Sequence, residues 1–568
     1  MGDKIKSQTE LSSVVAGKIA DSRSPAWWSP PWRRARPRFT WVDGVFLAVL
    51  LTVCAVTAFI GAVPTAVFGH DAFFLLDNGW RSVCGQRPQV DYYSPWGPVT
   101  FLIVGCGLKL AHYTANGIGY GTALVALATG LWGYTLGRKR LPQVLCMLYG
   151  IAVAALAAAP YPLGKPPLWS SHAMAYNRYG YALLALVLIE CFARFPRPEQ
   201  VENASGREFP GGISTGVIVA ILLFLKASYF AVALPIVAVS FVFRQAQAKR
   251  MLGLLLGFGA AALALLAYMR FDVLAIALAL KMAAGARSHR LYQDIFVGIL
   301  RSELWVALLA TCMALFAARP KAGGGSLLSR HMPLALALLV LAADTLLTFT
   351  NMQSDAAPLT AFFPILVLGF VFDDRKRSTP GKGRRGWVRL LLILAAGVLL
   401  FLPPLYSDAK GLWYAAGQKA HPMQSRVSAR FKEPRLASLV LYDGSLDLAA
   451  NGAGYTTYVN EGVAMLRAHC TNRDLVLTMD MVNPFPYALG WLPPRGGAAA
   501  IAFNYTLSAE NRPSFDQFFG DANVVMVPKR PALGVDYLGR FNQIFMPEVL
   551  RRYTLAAESD LFQLYKRK

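Results

Sequence analysis

Acidic residues are in short supply in this chain. It has 32 Asp and Glu against 56 Lys and Arg, a formal net charge of +24 over 568 residues. Charge of either sign is scarce, at 15% of residues, while 55% are hydrophobic. A soluble protein of this size needs more polar surface, so the composition excludes an ordinary water-soluble globule. Cysteine is sparse too. The seven are scattered, with no Cys-x-x-Cys pair and no metal-ligand spacing, which leaves no cysteine-built zinc site or redox motif. No apolar core follows the start, because the first 40 residues are polar and then basic, unlike a secretory signal. No internal repeat of the kind that builds many transporters is visible. The triple glycine at 323–325 lacks the Lys-Ser/Thr ending of a phosphate-binding loop.

What is present is a series of apolar runs near 43–65, 117–137, 141–160, 180–196, 211–226, 228–244, 251–269, 300–318, 332–350, 357–372 and 388–405. A weaker run, 98–114, carries Lys109 and His112. A membrane-crossing helix needs about 20 apolar residues. Excess positive charge is one mark of a nucleic-acid binder, but here the cations fall in short tracts between the apolar runs. Arg33, Arg34, Arg36 and Arg38 precede the first, and Arg375, Lys376, Arg377, Lys382, Arg384 and Arg385 precede the last. That is the positive-inside pattern. It excludes nucleic acid as the reason for the charge and places the N-terminal segment 1–42 in the cytoplasm. Trp27, Trp28 and Trp32 read as an interfacial anchor. The scheme puts 66–97, 161–179, the turn at Lys226, 270–299, 351–356 and 406–568 outside. It predicts about eleven to thirteen crossings, eleven if 98–114 stops short of crossing.

Region 406–568 reads differently. A helical stretch near 457–469 precedes Val476–Met479. Short apolar runs follow at Ala498–Phe503 and Val524–Val527, with a closing hairpin at Tyr553–Ala556 and Leu561–Tyr565. Helices interleaved with short strands predict an α/β domain, and about 160 residues suffice for a core. The expected fold is therefore an all-α polytopic membrane bundle over 43–405, with a C-terminal extracytoplasmic α/β domain. Cys54, Cys106, Cys146, Cys191 and Cys312 lie in or near apolar runs and read as packing residues. Cys84 and Cys470 fall outside and are candidates to pair.

The outside loop 66–97 holds three carboxylates (Asp71, Asp77, Asp91), two arginines (Arg81, Arg87) and several aromatics. A plain connector would have less reason to set an acid at the membrane surface. The bland alternative makes Asp71 a helix N-cap and the aromatics belt residues. Lys226 stands alone at the outer end of an apolar hairpin, where ionisable groups are functional by default; the alternative is a snorkelling side chain. His172, Tyr176, Asn177 and Arg178 precede a span. Segment 270–299, with Arg270, Asp272, Lys281, Arg287, His289 and Arg290, reads as an amphipathic helix on the outer surface. Gln353 and Asp355 form a capped turn or sugar contacts. Asp373-Asp374 lies among cytoplasmic cations and reads as a topology loop. Asp480 and Asn483 follow a strand of the α/β region, where ligands often bind, although their prolines favour a structural turn.

The order Asp71, Gly85, Pro88, Asp91, Pro95, Gly97, Pro98, opening an apolar helix, resembles the first periplasmic loop of GT-C glycosyltransferases. These include protein O-mannosyltransferases, aminoarabinose transferases and rhizobial galacturonosyltransferases. The family has an acidic pair at the first position, where this chain has His70-Asp71-Ala72. The resemblance covers roughly residues 40–300. It implies a polyprenyl-phosphate sugar donor, a glycan, lipid or protein acceptor, and membrane lipids as surroundings. It also implies the outer face of a bacterial inner membrane and an inverting transfer. In that frame Asp71 is the catalytic base and Asp91 the second carboxylate, orienting the acceptor or holding the loop. Lys226, Arg178 and Lys165 face the donor phosphate. His70, His172, Tyr176, Asn177, Arg287, His289 and Arg290 are substrate contacts. No cofactor or metal site is indicated. The competing classes are a flippase or transporter of lipid-linked sugars and an O-antigen ligase or polymerase.

Overall fold

The structure is a computed structural model. It describes residues 39–138, 140–192, 201–243, 248–287, 308, 311–312, 327–351, 356–368, 384–427, 429–443, 452–530 and 535–568. Two compact units divide the chain, Met1–Gly44 and Val45–Lys568. The tryptophans at 27, 28 and 32, most of the run 300–318, the glycines at 323–325, Gln353, Asp355 and Asp373-Asp374 lie outside the described residues.

The chain is mostly helical. In order come α1 (Trp41–Ile60), α2 (Gly69–Val83), α3 (Pro98–Leu110), α4 (Gly117–Gly137), α5 (Gln143–Ala158), α6 (Ala175–Phe192), α7 (Val201–Leu225), α8 (Ala227–Phe243) and α9 (Ala248–Tyr268). Then follow α10 (Val273–Arg287), α11 (Leu327–Thr350), α12 (Arg384–Leu400) and α13 (Leu402–Ala420). Among the described residues, Trp41–Ile60, Glu208–Leu225 and Ala248–Tyr268 are long and apolar enough to cross a membrane. The weak run at 98–114 becomes α3, only 13 residues. That is about 20 Å, short of the roughly 30 Å apolar core of a bilayer. The run 388–405 breaks at Phe401, and α13 continues as a separate helix.

Close packing of α7 on α9 has a sequence cause. Gly212 and Gly216 face Gly253 and Gly257, and a methyl group on any of the four would lie 2.2–2.3 Å from a backbone carbonyl oxygen of the other helix. Small residues four apart allow such backbone approach. At one end of these helices Glu190 holds Arg140 at 2.6 Å and Arg250 at 3.4 Å, and Arg250 also reaches Glu208 at 3.3 Å. All four lie in or beside tracts expected on the cytoplasmic side.

Residues 452–568 form an α/β unit. Helix α14 (Gly452–His469) leads to β1 (Val476–Thr478), α15 (Phe485–Leu489), α16 (Phe515–Phe519), β2 (Val524–Pro528), α17 (Val535–Arg552), β3 (Tyr553–Glu558) and β4 (Phe562–Arg567). The sheet order is β1-β2-β4-β3, with β1 parallel to β2 and the other pairs antiparallel. Alternate side chains on a strand point to opposite faces, and here the faces serve two cores. Val476, Val524, Met526, Phe562 and Leu564 join the core that runs through the helical bundle. Leu477, Val525, Val527 and Tyr565 join a second core with Phe518, Phe541 and Phe545. The C-terminal unit therefore shares one core with the helices instead of standing apart. Ala498–Phe503, expected as an apolar run, makes only isolated bridges, one of them Tyr93 to Ala498.

Cys84 and Cys470, the two candidates to pair, are both free thiols. Each is pushed up to about 11, chiefly by burial, in a different setting: Cys84 beside Arg435 and Arg81, Cys470 beside Lys566 and Asp474.

Candidate functional site

Helix α2 was not foreseen within the 66–97 loop. Its entry is strained, because Phe68 adopts a left-handed conformation (φ 54, ψ 50). Such a backbone costs an aromatic residue on the order of 1–3 kcal/mol and tends to mark functional sites. Phe68 occupies the N-cap position and no side chain caps the helix, so the bland reading of Asp71 as the N-cap does not hold. Asp71 sits in the first turn, where the helix dipole favours a carboxylate. Its side chain keeps 18% exposure, while neighbouring His70 is buried and lies 3.7 Å from Asp71 Oδ1 through Nε2.

The C-terminal unit reaches this carboxylate. Tyr455 of α14 packs edge-on to Phe73 at 5.5 Å and stacks on Tyr458, also at 5.5 Å. The Tyr458 hydroxyl donates to Asp480 Oδ2 at 2.5 Å. Burial first, and then the Asp480 and Asp71 carboxylates, push the Tyr455 hydroxyl well above its usual range. Sequence reading missed Tyr455 and Tyr458. The signal available was their three-residue spacing on a helix, which does not reveal what they face.

From Asp71 an aromatic wall leads to Lys226. Phe74, one turn along α2, packs against Trp96 at 4.7 Å; Trp96 meets Tyr176 at 5.6 Å; and Lys226 Nζ stands 5.1 Å over the Tyr176 ring. Lys226 occupies the break between α7 and α8. The Pro95-Trp96-Gly97-Pro98 step seats on that break, with Gly97 N–H donating to the Leu225 carbonyl at 3.3 Å. Glycine is required there, since a Cβ would lie 2.0 Å from the Phe224 carbonyl oxygen. Two polar groups beside this wall are buried with no hydrogen-bond partner among the described residues: Trp96 Nε1, and both amide atoms of Asn177.

The remaining candidates are placed elsewhere. Asp91 lies past the opposite end of α2 from Asp71. Its Oδ2 accepts from Arg87 N at 2.8 Å, and its Oδ1 is 3.9 Å from both Arg270 and Arg495. That geometry holds the loop. Arg178 is buried: it pairs with Asp408 at 3.0 Å and donates to the carbonyls of Tyr161 and Leu156, while its Nη2 is buried with no hydrogen-bond partner among the described residues. Its partners tie α6 to α13. His172 accepts from Val63 N–H at 2.8 Å. Burial, then the Lys419 charge, push it down to about 3 against a bond to the Gly61 backbone, so it stays neutral and pins the turn after α1. Arg178 and His172 line a small recess with Thr57, Thr122, Tyr161 and Ser171. Lys165 sits 5.4 Å over the Trp169 ring. Asn483 closes the turn after β1 by accepting from the Thr478 hydroxyl and donating to the Val476 carbonyl. Arg287 ends α10, but its side chain, like His289 and Arg290, lies outside the described residues.

Around Asp77 the loop locks onto the C-terminal unit. Asp77 pairs with Arg81 at 3.1 Å, and both side chains are essentially buried. Arg81 also donates to the carbonyls of Pro494 and Gly496, Gln86 to Pro493, Trp80 to Trp491 and Asn78 to Ala499.

No protein-family model matches the chain, and no curated protein matches it by sequence. Solved structures do resemble it. ArnT from Cupriavidus metallidurans bound to undecaprenyl phosphate is 14% identical, with a TM-score of 0.37, over 92% of this chain and 97% of its own. Archaeal oligosaccharyltransferase AglB from Archaeoglobus fulgidus, in complex with an inhibitory peptide and a dolichol-phosphate, is 10% identical. Its TM-score is 0.38, over 93% of this chain and 75% of its own.

Proposed function

We propose that this protein is a membrane glycosyltransferase. It would move a sugar from a polyprenyl-phosphate donor to a glycan, lipid or protein acceptor on the extracytoplasmic face. The observation that carries the reading is the line Phe74, Trp96, Tyr176, Lys226, which begins one turn along α2 from Asp71. It pairs a partly exposed carboxylate with a cation at a helix break, across an aromatic wall. The chemistry needs those two charges. An acceptor hydroxyl attacks the anomeric carbon, and its proton passes to the Asp71 carboxylate. The bond from that carbon to the phosphate oxygen breaks, and the phosphate leaves on its lipid with its charge met by Lys226. Single displacement inverts the anomeric centre. The aromatic rings suit the apolar face of a sugar, and the Asn177 amide and Trp96 indole N–H suit its hydroxyls. Arg178 and Asp91 serve the scaffold in this account. The N-terminus lies in the cytoplasm and 406–568 outside, as the charge pattern requires.

The test is mass analysis of membrane glycolipids and envelope glycans from cells with and without the gene. A glycan species that disappears, with its lipid-linked donor accumulating, is the expected result. Unchanged glycans with a lipid-linked sugar trapped on the cytoplasmic face would point to a flippase.

A further inference from the structure

Helix α13 and the segment after it carry an unusual charge balance. Between residues 402 and 435 stand six cations (Lys410, Lys419, Arg426, Arg430, Lys432, Arg435) and two carboxylates, Asp408 and Glu433. Both carboxylates are already taken by arginines from elsewhere: Asp408 by Arg178 at 3.0 Å and Glu433 by Arg467 at 2.9 Å. Among the described residues none of the six cations is paired with a carboxylate. Arg430 donates to the Gln424 amide, Arg426 to the Asp443 carbonyl, Lys419 to the carbonyls of Ala62 and Ser438, and Arg435 to the Tyr487 carbonyl. Lys410, Arg430 and Lys432 are exposed.

The same helix has a second distinctive face. Leu402, Tyr406, Lys410 and Trp413 follow helical spacing along one side. Leu402 is 50% exposed, Tyr406 66% and Trp413 82%, with Lys410 Nζ 5.9 Å from the Tyr406 ring. The opposite side, with Asp408, Gly411, Leu412 and Ala415, is buried. The helix begins directly after α12, whose 17 residues rise about 25 Å. The Arg384 end of α12 follows the cation tract that the charge pattern places in the cytoplasm, so in that reading α13 leaves on the outer face. Exposed Tyr and Trp on a helix leaving a membrane sit at headgroup depth, and basic side chains beyond them meet lipid phosphates.

We propose that segment 402–435 is a docking surface for anionic phospholipid headgroups on the membrane face where α12 ends. Tyr406 and Trp413 seat at the interface, while Lys410, Arg430 and Lys432 bind the headgroups. Charge complementarity and continuity with a membrane helix identify the occupant. Bound lipid would hold the C-terminal unit against the bilayer, where Tyr455 of that unit faces Asp71. Each Lys or Arg near an anionic surface contributes about fivefold in binding constant.

The test uses the full chain in nanodiscs of phosphatidylglycerol and phosphatidylcholine, with bromine on the acyl chains of one lipid at a time. The Trp413 signal is the emission of wild type minus that of Trp413→Phe. Brominated phosphatidylglycerol should quench it more than brominated phosphatidylcholine. The preference should shrink as salt rises and vanish in Lys410→Gln/Arg430→Gln/Lys432→Gln. Equal quenching by the two lipids overturns the proposal, as does a preference that survives the triple substitution. A triple variant that keeps the lipid preference but loses binding to soluble polygalacturonate overturns it in favour of an acidic polymer. If the triple variant misfolds, the salt titration of wild type decides, and a preference insensitive to salt counts against the proposal.

Discussion

Arg81 Nη1 donates to the carbonyl oxygen of Pro494 at 2.9 Å, although 413 residues separate them. The same guanidinium pairs with Asp77 four residues earlier. One buried arginine therefore fixes both the helix that carries Asp71 and the loop of the C-terminal unit that packs on it. Burial pushes the Asp77 carboxyl up while Arg81 pulls it down. Removing the arginine leaves a buried acid without its partner.

Arg81→Met should accordingly cost about 3–5 kcal/mol, the usual loss when one member of a buried pair is removed. Asp77→Asn combined with Arg81→Met should recover part of it, because no uncompensated charge remains. Thermal unfolding of the full chain in detergent measures both. A double variant less stable than the single one would contradict this account of the pair.

The helix break at Lys226 bears on donor binding. Lys226→Ala should raise KM for the lipid-linked donor at least tenfold, a loss of about 1.4 kcal/mol in binding, with little change in melting temperature. Gly97→Ala should disturb the same site indirectly, since its methyl group has no room beside the Phe224 carbonyl. Donor titrations of the two variants check this. Unchanged KM in a folded Lys226→Ala protein would return Lys226 to a snorkelling role.

His172 gives a pH dependence with a definite sign. Its folded pKa is held down at about 3, below the unfolded value of about 6.5. The unfolded chain therefore binds the proton first as pH falls. The stability linked to neutral His172 is complete above about pH 6.5 and declines below it, by about 1.4 kcal/mol per pH unit, until the folded group itself titrates. Melting curves of wild type and His172→Gln between pH 7 and pH 5 should diverge, with wild type falling faster. Parallel curves would contradict the buried neutral histidine.

The apolar runs were legible because lipid-facing helices announce themselves by length and composition. Most expected spans begin and end within a few residues of the observed helices, and 117–137, which coincides with α4, is one example. The β-strands were legible too, from β-branched runs such as Val524–Val527. Helix α2 was not. Its sequence mixes Asp77, Asn78 and Arg81 into an apolar stretch; Arg81 holds Asp77, and Asn78 and Arg81 reach carbonyls of residues 494–499 far along the chain. Local pattern carries no trace of such partners. The same limit applies to Arg178, whose pairing with Asp408, 230 residues away, leaves no signal in the local sequence. The matched glycines of α7 and α9 were readable as small residues four apart, but only their facing each other gives them meaning.

The central claim rests on one carboxylate, and Asp71→Asn tests it most directly. Asparagine keeps the shape of the side chain and removes its basicity. A base that takes a proton in the transition state contributes about 100- to 10,000-fold in rate. Cells lacking the gene would be complemented with wild type or Asp71→Asn, their glycan product quantified by mass spectrometry, and the melting temperatures of the two purified proteins compared. The account predicts matched melting temperatures, with product restored by wild type and lost in the variant. Product formation by Asp71→Asn at more than about a tenth of the wild-type rate would contradict Asp71 as the base.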